Sequence, residues 1–101
     1  MRVRDLASAR AGDKGNTSNV VVVADDEEAY RRLEDWLTAD RVADRLAPLA
    51  EGPVTRYELP AVRALNFVVE GALAGGVTTS LRLDAHGKSL SFAVLGMSVE
   101  D

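Results

Sequence analysis

Four consecutive β-branched residues, Val20-Val21-Val22-Val23, constrain this chain more than any other feature. Valine loses side-chain freedom in a helix and packs well on a pleated surface, so the run is a strand. No polar residue alternates within it, and the strand is therefore expected to be buried on both faces. Such a strand needs paired neighbours and apolar layers against it, which the rest of the chain must supply.

Residues 3 to 9 read as a modest strand of small side chains. Residues 10 to 18, Arg-Ala-Gly-Asp-Lys-Gly-Asn-Thr-Ser, read as a loop. Asp25 and Asp26 cap a helix, with Glu28 three residues after Asp25, and Ala29, Tyr30, Leu33, Trp36 and Leu37 recur at helical spacing. Thr38 caps a second helix along Ala39, Val42, Ala43 and Leu46, which Pro48 ends or kinks. Gly52-Pro53 turns the chain into a strand over residues 54 to 59. Pro60 suits the first turn of a third helix, whose stripe is Ala61, Val62, Leu65, Val68, Val69, Ala72 and Leu73. Gly75 and Gly76 stop it. Val77, Thr79, Leu81 and Leu83 then alternate with polar residues, and Ala85-His86-Gly87-Lys88 leads into a last strand through Leu90, Phe92 and Val94. The order ββααβαββ is that of an α+β domain. One mixed sheet of about five strands carries helices on at least one face.

With 101 residues the chain is expected to form one domain over residues 1–101. Its 47% apolar content supports a core without staples. The net charge of -4 removes the basic footprint of general nucleic-acid binding, and no polybasic run suits an anionic membrane. The absence of cysteine excludes disulfides, thiol nucleophiles and cysteine-ligated metals, and one histidine gives no basis for a histidine metal site. No metal or cofactor is expected. Met1-Arg2-Val3-Arg4-Asp5 is not an apolar signal stretch, and no window approaches the roughly 20 apolar residues of a membrane span. A cytoplasmic location is the expectation.

Two segments could carry chemistry. In Ser8 to Asn19, Gly12 and Gly15 allow close backbone approach, and successive N–H groups can hold an anion. Arg10 and Lys14 suit a phosphate or carboxylate, Asn16 and Asn19 can donate to a carbonyl oxygen, and Asp13 is the candidate for proton transfer. The spacing is neither that of a P-loop nor of a dinucleotide fingerprint. The same residues also fit an elaborate turn whose Asp and Asn side chains bond their own backbone. The second segment, Gly75 to Asp84, projects Thr78, Ser80, Arg82 and Asp84 from one strand face, which also fits a solvated face. Asn66 lies at the edge of the third helix's apolar arc. His86 reads as a turn residue at a hairpin tip and not as a general base. Phe67 falls on the polar side of the third helix beside Arg63 and Glu70, as a partner anchor or as a scattered exposed aromatic. The doubly apolar stretches 20–23 and 92–97 favour association.

Leu6 to Asn16, Arg56-Tyr57-Glu58-Leu59-Pro60, Ala64-Leu65-Asn66-Phe67 and Gly75 to Lys88 together resemble the C-terminal domain of the acyclic terpene utilisation (AtuA-like) proteins, over nearly the whole chain. The resemblance implies a ferredoxin-like two-layer fold, either fused behind a larger N-terminal domain or encoded separately. It implies work on branched or unsaturated, terpenoid-type acyl-CoA or carboxylate compounds. The matching positions taken as ligand-binding are Arg10, Gly12, Asp13, Lys14, Gly15, Asn16, Asn19, Asn66, Gly75, Gly76, Ser80 and Arg82, while Ala11 and Thr79 depart from the family's Ser and Arg. The implied role is that of a small subunit in a homo- or hetero-oligomer, completing the site of a separately encoded larger AtuA-like subunit in a lyase- or hydratase-like enzyme. The rival is a non-enzymatic, self-associating scaffold or ligand-binding module.

Overall fold

A computed structural model describes residues 1–14, 17–47, 52–70 and 88–99. Among them the strands are β1 (Ala7–Lys14), β2 (Thr17–Ala24), β3 (Val54–Leu59) and β4 (Ala64–Glu70). The helices are α1 (Glu27–Trp36), α2 (Ala39–Leu46) and α3 (Lys88–Leu95), with short 3-10 turns at Val3–Asp5 and Pro60–Val62. The strand order is β1-β2-β4-β3 and every pairing is antiparallel. β2 and β3 therefore run parallel with β4 between them, joined through α1 and α2 as a split β-α-β unit.

Helix starts follow side-chain chemistry. The Asp26 carboxylate accepts from Ala29 N at 2.8 Å, and Thr38 Oγ1 accepts from Arg41 N at 3.2 Å. The end of α1 is held from the sheet: Arg56 Nη1 donates to Glu34 O at 2.8 Å and to Leu37 O at 3.0 Å, and its Nη2 pairs with Glu58 Oε2 at 2.7 Å.

One sheet face makes the core. Val20 and Val22 of β2 join Leu65, Phe67 and Val69 of β4, and Leu33, Leu37, Val42, Leu46, Leu90 and Val94 of the helices pack on them, all essentially inaccessible. Small residues Ala7, Ala9 and Ala11 let β1 lie under α3.

Several sequence expectations are corrected. The sheet among the described residues has four strands, every pairing antiparallel, and the expected strand over residues 77–84 lies outside them. Val20–Val23 is buried on one face only: Val20 and Val22 are enclosed, Val21 is half-buried and Val23 is 39% exposed. β-branched residues satisfy strand preference on either face, so a valine run does not report double burial. The expected third helix is instead a 3-10 turn followed by β4. Arg63, with φ 54°, stands in the left-handed region between them. Leu65 and Val69 fit both periods but Phe67 fits only the strand's, and the strand prevails because it puts all three into the core between β2 and β3. Phe67 is accordingly fully buried, so it is no exposed partner anchor. Residues 10 to 14 belong to β1, since pairing with β2 continues to Lys14↔Thr17. The expected last strand is α3, in which Leu90 and Val94, four apart, face the core and Phe92 faces outward. Pro48, His86 and the hairpin arm from Val77 to Asp84 lie outside the described residues.

Candidate functional site

The second sheet face gathers the sequence candidates. Register places Tyr57, Asn66, Val21 and Arg10 in one row across β3, β4, β2 and β1. The next row holds Thr55, Val68, Asn19 and Gly12. Neighbouring strands lie about 4.8 Å apart, so each row spans roughly 14 Å. Asn19 and Asn66, diagonal neighbours 47 residues apart in sequence, are joined: Asn19 Nδ2 donates to Asn66 Oδ1 at 3.2 Å. Gly12 makes room for this. A Cβ there would lie 3.0 Å from Asn19 Oδ1, tighter than ordinary contact. Gly12 is thus explained by close approach of a side chain, and not by loop conformation.

Around the amide pair the face is apolar at its middle and cationic at one edge. Val21 and Val68 are half-buried, Tyr57 is 54% exposed and Leu59 42%. Arg10, on β1, is exposed. Asp13 and Lys14 are described by backbone alone. Asp13 pairs with Ser18, in the row whose other β2 and β4 members are core residues, and Lys14 pairs with Thr17, in the row of Glu70. The structure therefore brings Arg10, Gly12, Asn19 and Asn66 onto one face and sets Asp13 in a different row. Gly15, Asn16, Gly75, Gly76, Ser80 and Arg82 lie outside the described residues. Tyr57 and Val21 were not recognisable as site residues, because only the register of β3 and β2 against β4 brings them beside Asn66.

This surface can bind an anion or a carbonyl. Amides donate to a carbonyl oxygen, and a guanidinium grips a carboxylate as a planar fork. The valines and Tyr57 offer apolar support for a hydrocarbon tail. The described part of this face carries one carboxylate, Glu70, at the end of β4.

A second polar cluster lies at the β3 side of the core. Tyr30 is buried, and its pKa is raised by that burial first and then by the carboxylates of Glu34 and Glu58, against a smaller opposing effect of Arg56. Its hydroxyl is enclosed near Glu34 but outside good hydrogen-bond geometry. This arrangement supports the end of α1. Among the described residues, no three side chains of His, Cys, Asp or Glu are grouped to hold a metal ion, and no helix is long and apolar enough to cross a membrane. With no cysteine in the sequence, no cysteine-ligated iron–sulfur cluster can form, so "ferredoxin-like" describes a fold here.

No curated protein and no solved structure matches the chain. The family model of the AtuA ferredoxin-like domain matches residues 1–100. It covers the sheet, its helices and the face bearing Arg10, Gly12, Asn19 and Asn66, and the chain belongs to the AtuA ferredoxin-like domain family.

Proposed function

We propose that this domain acts as the small component of a two-part AtuA-like assembly, and that its second sheet face receives the carboxylate or thioester end of a branched or unsaturated, terpenoid-type acid. One observation carries the reading: the hydrogen-bonded Asn19–Asn66 pair stands in the middle of an apolar sheet face, with Arg10 in the same row as Asn66. A polar head would meet amide and guanidinium donors while its tail lay along Val21, Val68 and Tyr57. Among the described residues the face is an open shelf, with Val23, Tyr57 and Leu59 exposed on it. A larger subunit resting on it would exclude water and supply the reactive groups, in a cytoplasmic setting. Asp13 is the acid–base candidate from this chain, by sequence position alone.

The test is calorimetric titration of branched 2-unsaturated acids and their CoA thioesters into the domain, alone and with a co-expressed larger AtuA-like subunit. Arg10→Gln, Asn19→Ala and Asn66→Ala should each weaken binding by about 10-fold or more, as loss of a charge-assisted or buried hydrogen bond does. Binding that all three variants retain in full would refute the assignment of this face.

The rival reading, a self-associating module, draws on the exposed Tyr57, Leu59 and Val62 at the β3 end of the same sheet. Sedimentation separates the two readings: a stable homo-oligomer that ignores the larger subunit supports the module.

A further inference from the structure

Three arginines from two distant parts of the chain converge on the C-terminal end of α3. Arg2 Nη1 donates to Gly96 O at 2.8 Å, and Arg45 Nε donates to Ala93 O at 2.9 Å. Those contacts have an evident cause, because the last carbonyls of a helix lack intrahelical donors and carry partial negative charge. Arg4 has no such cause. Among the described residues its side chain forms no hydrogen bond or ion pair, yet it points to the same place. A Cβ added to the buried Gly96 would lie 3.1 Å from Arg45 Nη2 and 3.5 Å from Arg4 Nη2, which puts these two nitrogens within about 7 Å of each other.

Like charges gathered this closely repel, and a partial helix-end charge offsets only part of three guanidiniums. No carboxylate of the described residues forms an ion pair with Arg4 or Arg45, although the chain is acidic overall. Asp5 Oδ2 accepts from Arg2 N at 2.8 Å, and Asp44 lines the same cleft as Arg45 without an ion pair to it. We propose that Arg4 and Arg45, with Arg2 behind them, form a binding site for an oxyanion of the phosphate class. Charge-assisted hydrogen bonds of roughly 2.8 Å from each nitrogen would let one tetrahedral oxyanion bridge the pair. Arg45 also borders a cleft of about 280 Å³ that includes Trp36, Arg41 and Met97, with the Arg41 guanidinium 4.7 Å from the Trp36 ring centre. That cleft gives room for the organic part of a phosphate monoester. The site stands apart from the sheet face bearing Arg10, and it holds or fails independently of the function proposed above.

The experiment is a titration of the isotopically labelled full chain with inorganic phosphate and with phenyl phosphate, at ionic strength held constant with sodium chloride. It follows the Gly96 amide and the arginine Nε–H resonances by NMR. Saturable shifts at Gly96 and Arg45 with a Kd on the order of 1 mM or tighter are expected. Arg4→Gln should raise that Kd by about 10-fold while leaving the melting temperature unchanged, because Arg4 caps nothing. Tighter binding of phenyl phosphate assigns the cleft to an ester group, and equal affinity assigns the site to the free oxyanion. Shifts that sodium chloride alone reproduces, or an unaltered Kd in Arg4→Gln, would leave Arg2 and Arg45 as helix caps only and overturn the proposal.

Discussion

Arg56 shows how much one side chain can decide. It leaves β3 on the core side and is the only described side chain bonded to the carbonyls of Glu34 and Leu37, where α1 ends without a glycine cap. Its side chain is 18% exposed, so these bonds are partly shielded from water. Arg56→Ala should destabilise the domain by about 1.5–3 kcal/mol, the range for hydrogen bonds to charged groups, measured by urea unfolding. Arg56→Lys should recover only part of this, since an ammonium cannot fork across two carbonyls and a carboxylate. Tyr30, beside it, titrates in the opposite sense to most stabilising acids. Its folded pKa lies above its ordinary value of 10.0, so above that pH the unfolded chain has lost a proton that the folded chain retains. Stability conferred by the neutral phenol is complete below pH 10.0 and is lost as pH rises through the raised folded value. Tyr30→Phe should make alkaline unfolding shallower while leaving stability at neutral pH unchanged or slightly higher, because it also removes an enclosed hydroxyl without a good partner. A steeper alkaline loss in the variant would contradict this.

β4 is the element on which fold and site meet. Its residues alternate between the core, through Leu65, Phe67 and Val69, and the second face, through Asn66 and Val68. Adjacent substitutions should therefore differ sharply. Phe67→Ala should cost about 3–5 kcal/mol, as truncation of a buried aromatic does, and Val68→Ala clearly less. Equal losses would mean that β4 does not alternate as described. Gly12→Ala on β1 tests the face itself. The obstacle to the new methyl is the end of the Asn19 side chain, which can turn away, so stability should change by no more than about 1 kcal/mol. The Asn19–Asn66 hydrogen bond should be lost, visible as a shift of the Asn66 side-chain amide resonances.

At the scale of the molecule, the sheet formed by β1 to β4 is asymmetric. Among the described residues, one face is filled by α1, α2 and α3, and the other leaves Val23, Tyr57 and Leu59 substantially open. If that face meets a partner, Tyr57→Asp combined with Leu59→Asp should spare the melting temperature within a few degrees and abolish co-purification with a larger AtuA-like subunit. Unchanged co-purification would locate the contact elsewhere. The basic end of α3 and the second sheet face divide the molecule's candidate binding chemistry into two regions, and double substitution of Arg4 and Arg10 should have additive effects if they are separate.

Local chemistry alone determined much of this protein. Capping by Asp26 and Thr38, the stripes of α1 and α2, the valine strand and the strand at 54–59 all stand where their residues prefer to be, because each preference acts within one turn or one strand. The motif residues Arg10, Gly12, Asn19 and Asn66 could be named in advance from their types and from the family pattern. Their arrangement could not. Whether Ala64–Glu70 is a helix or a strand depends on whether β2 and β3 stand ready to pair with it, and the spacing of Leu65 and Val69 suits both. Residues 88–95 form a helix, in which Leu90 and Val94 reach the core while Phe92 faces outward, whereas a strand would turn all three to one face. The Asn19–Asn66 bond, the seat of Gly12 and the meeting of Arg2, Arg4 and Arg45 are consequences of strand register and helix docking. Apart from Gly12 against Asn19, seven positions apart across one hairpin, these contacts join residues 41 to 94 positions apart, carry no local signature and were decided by tertiary packing.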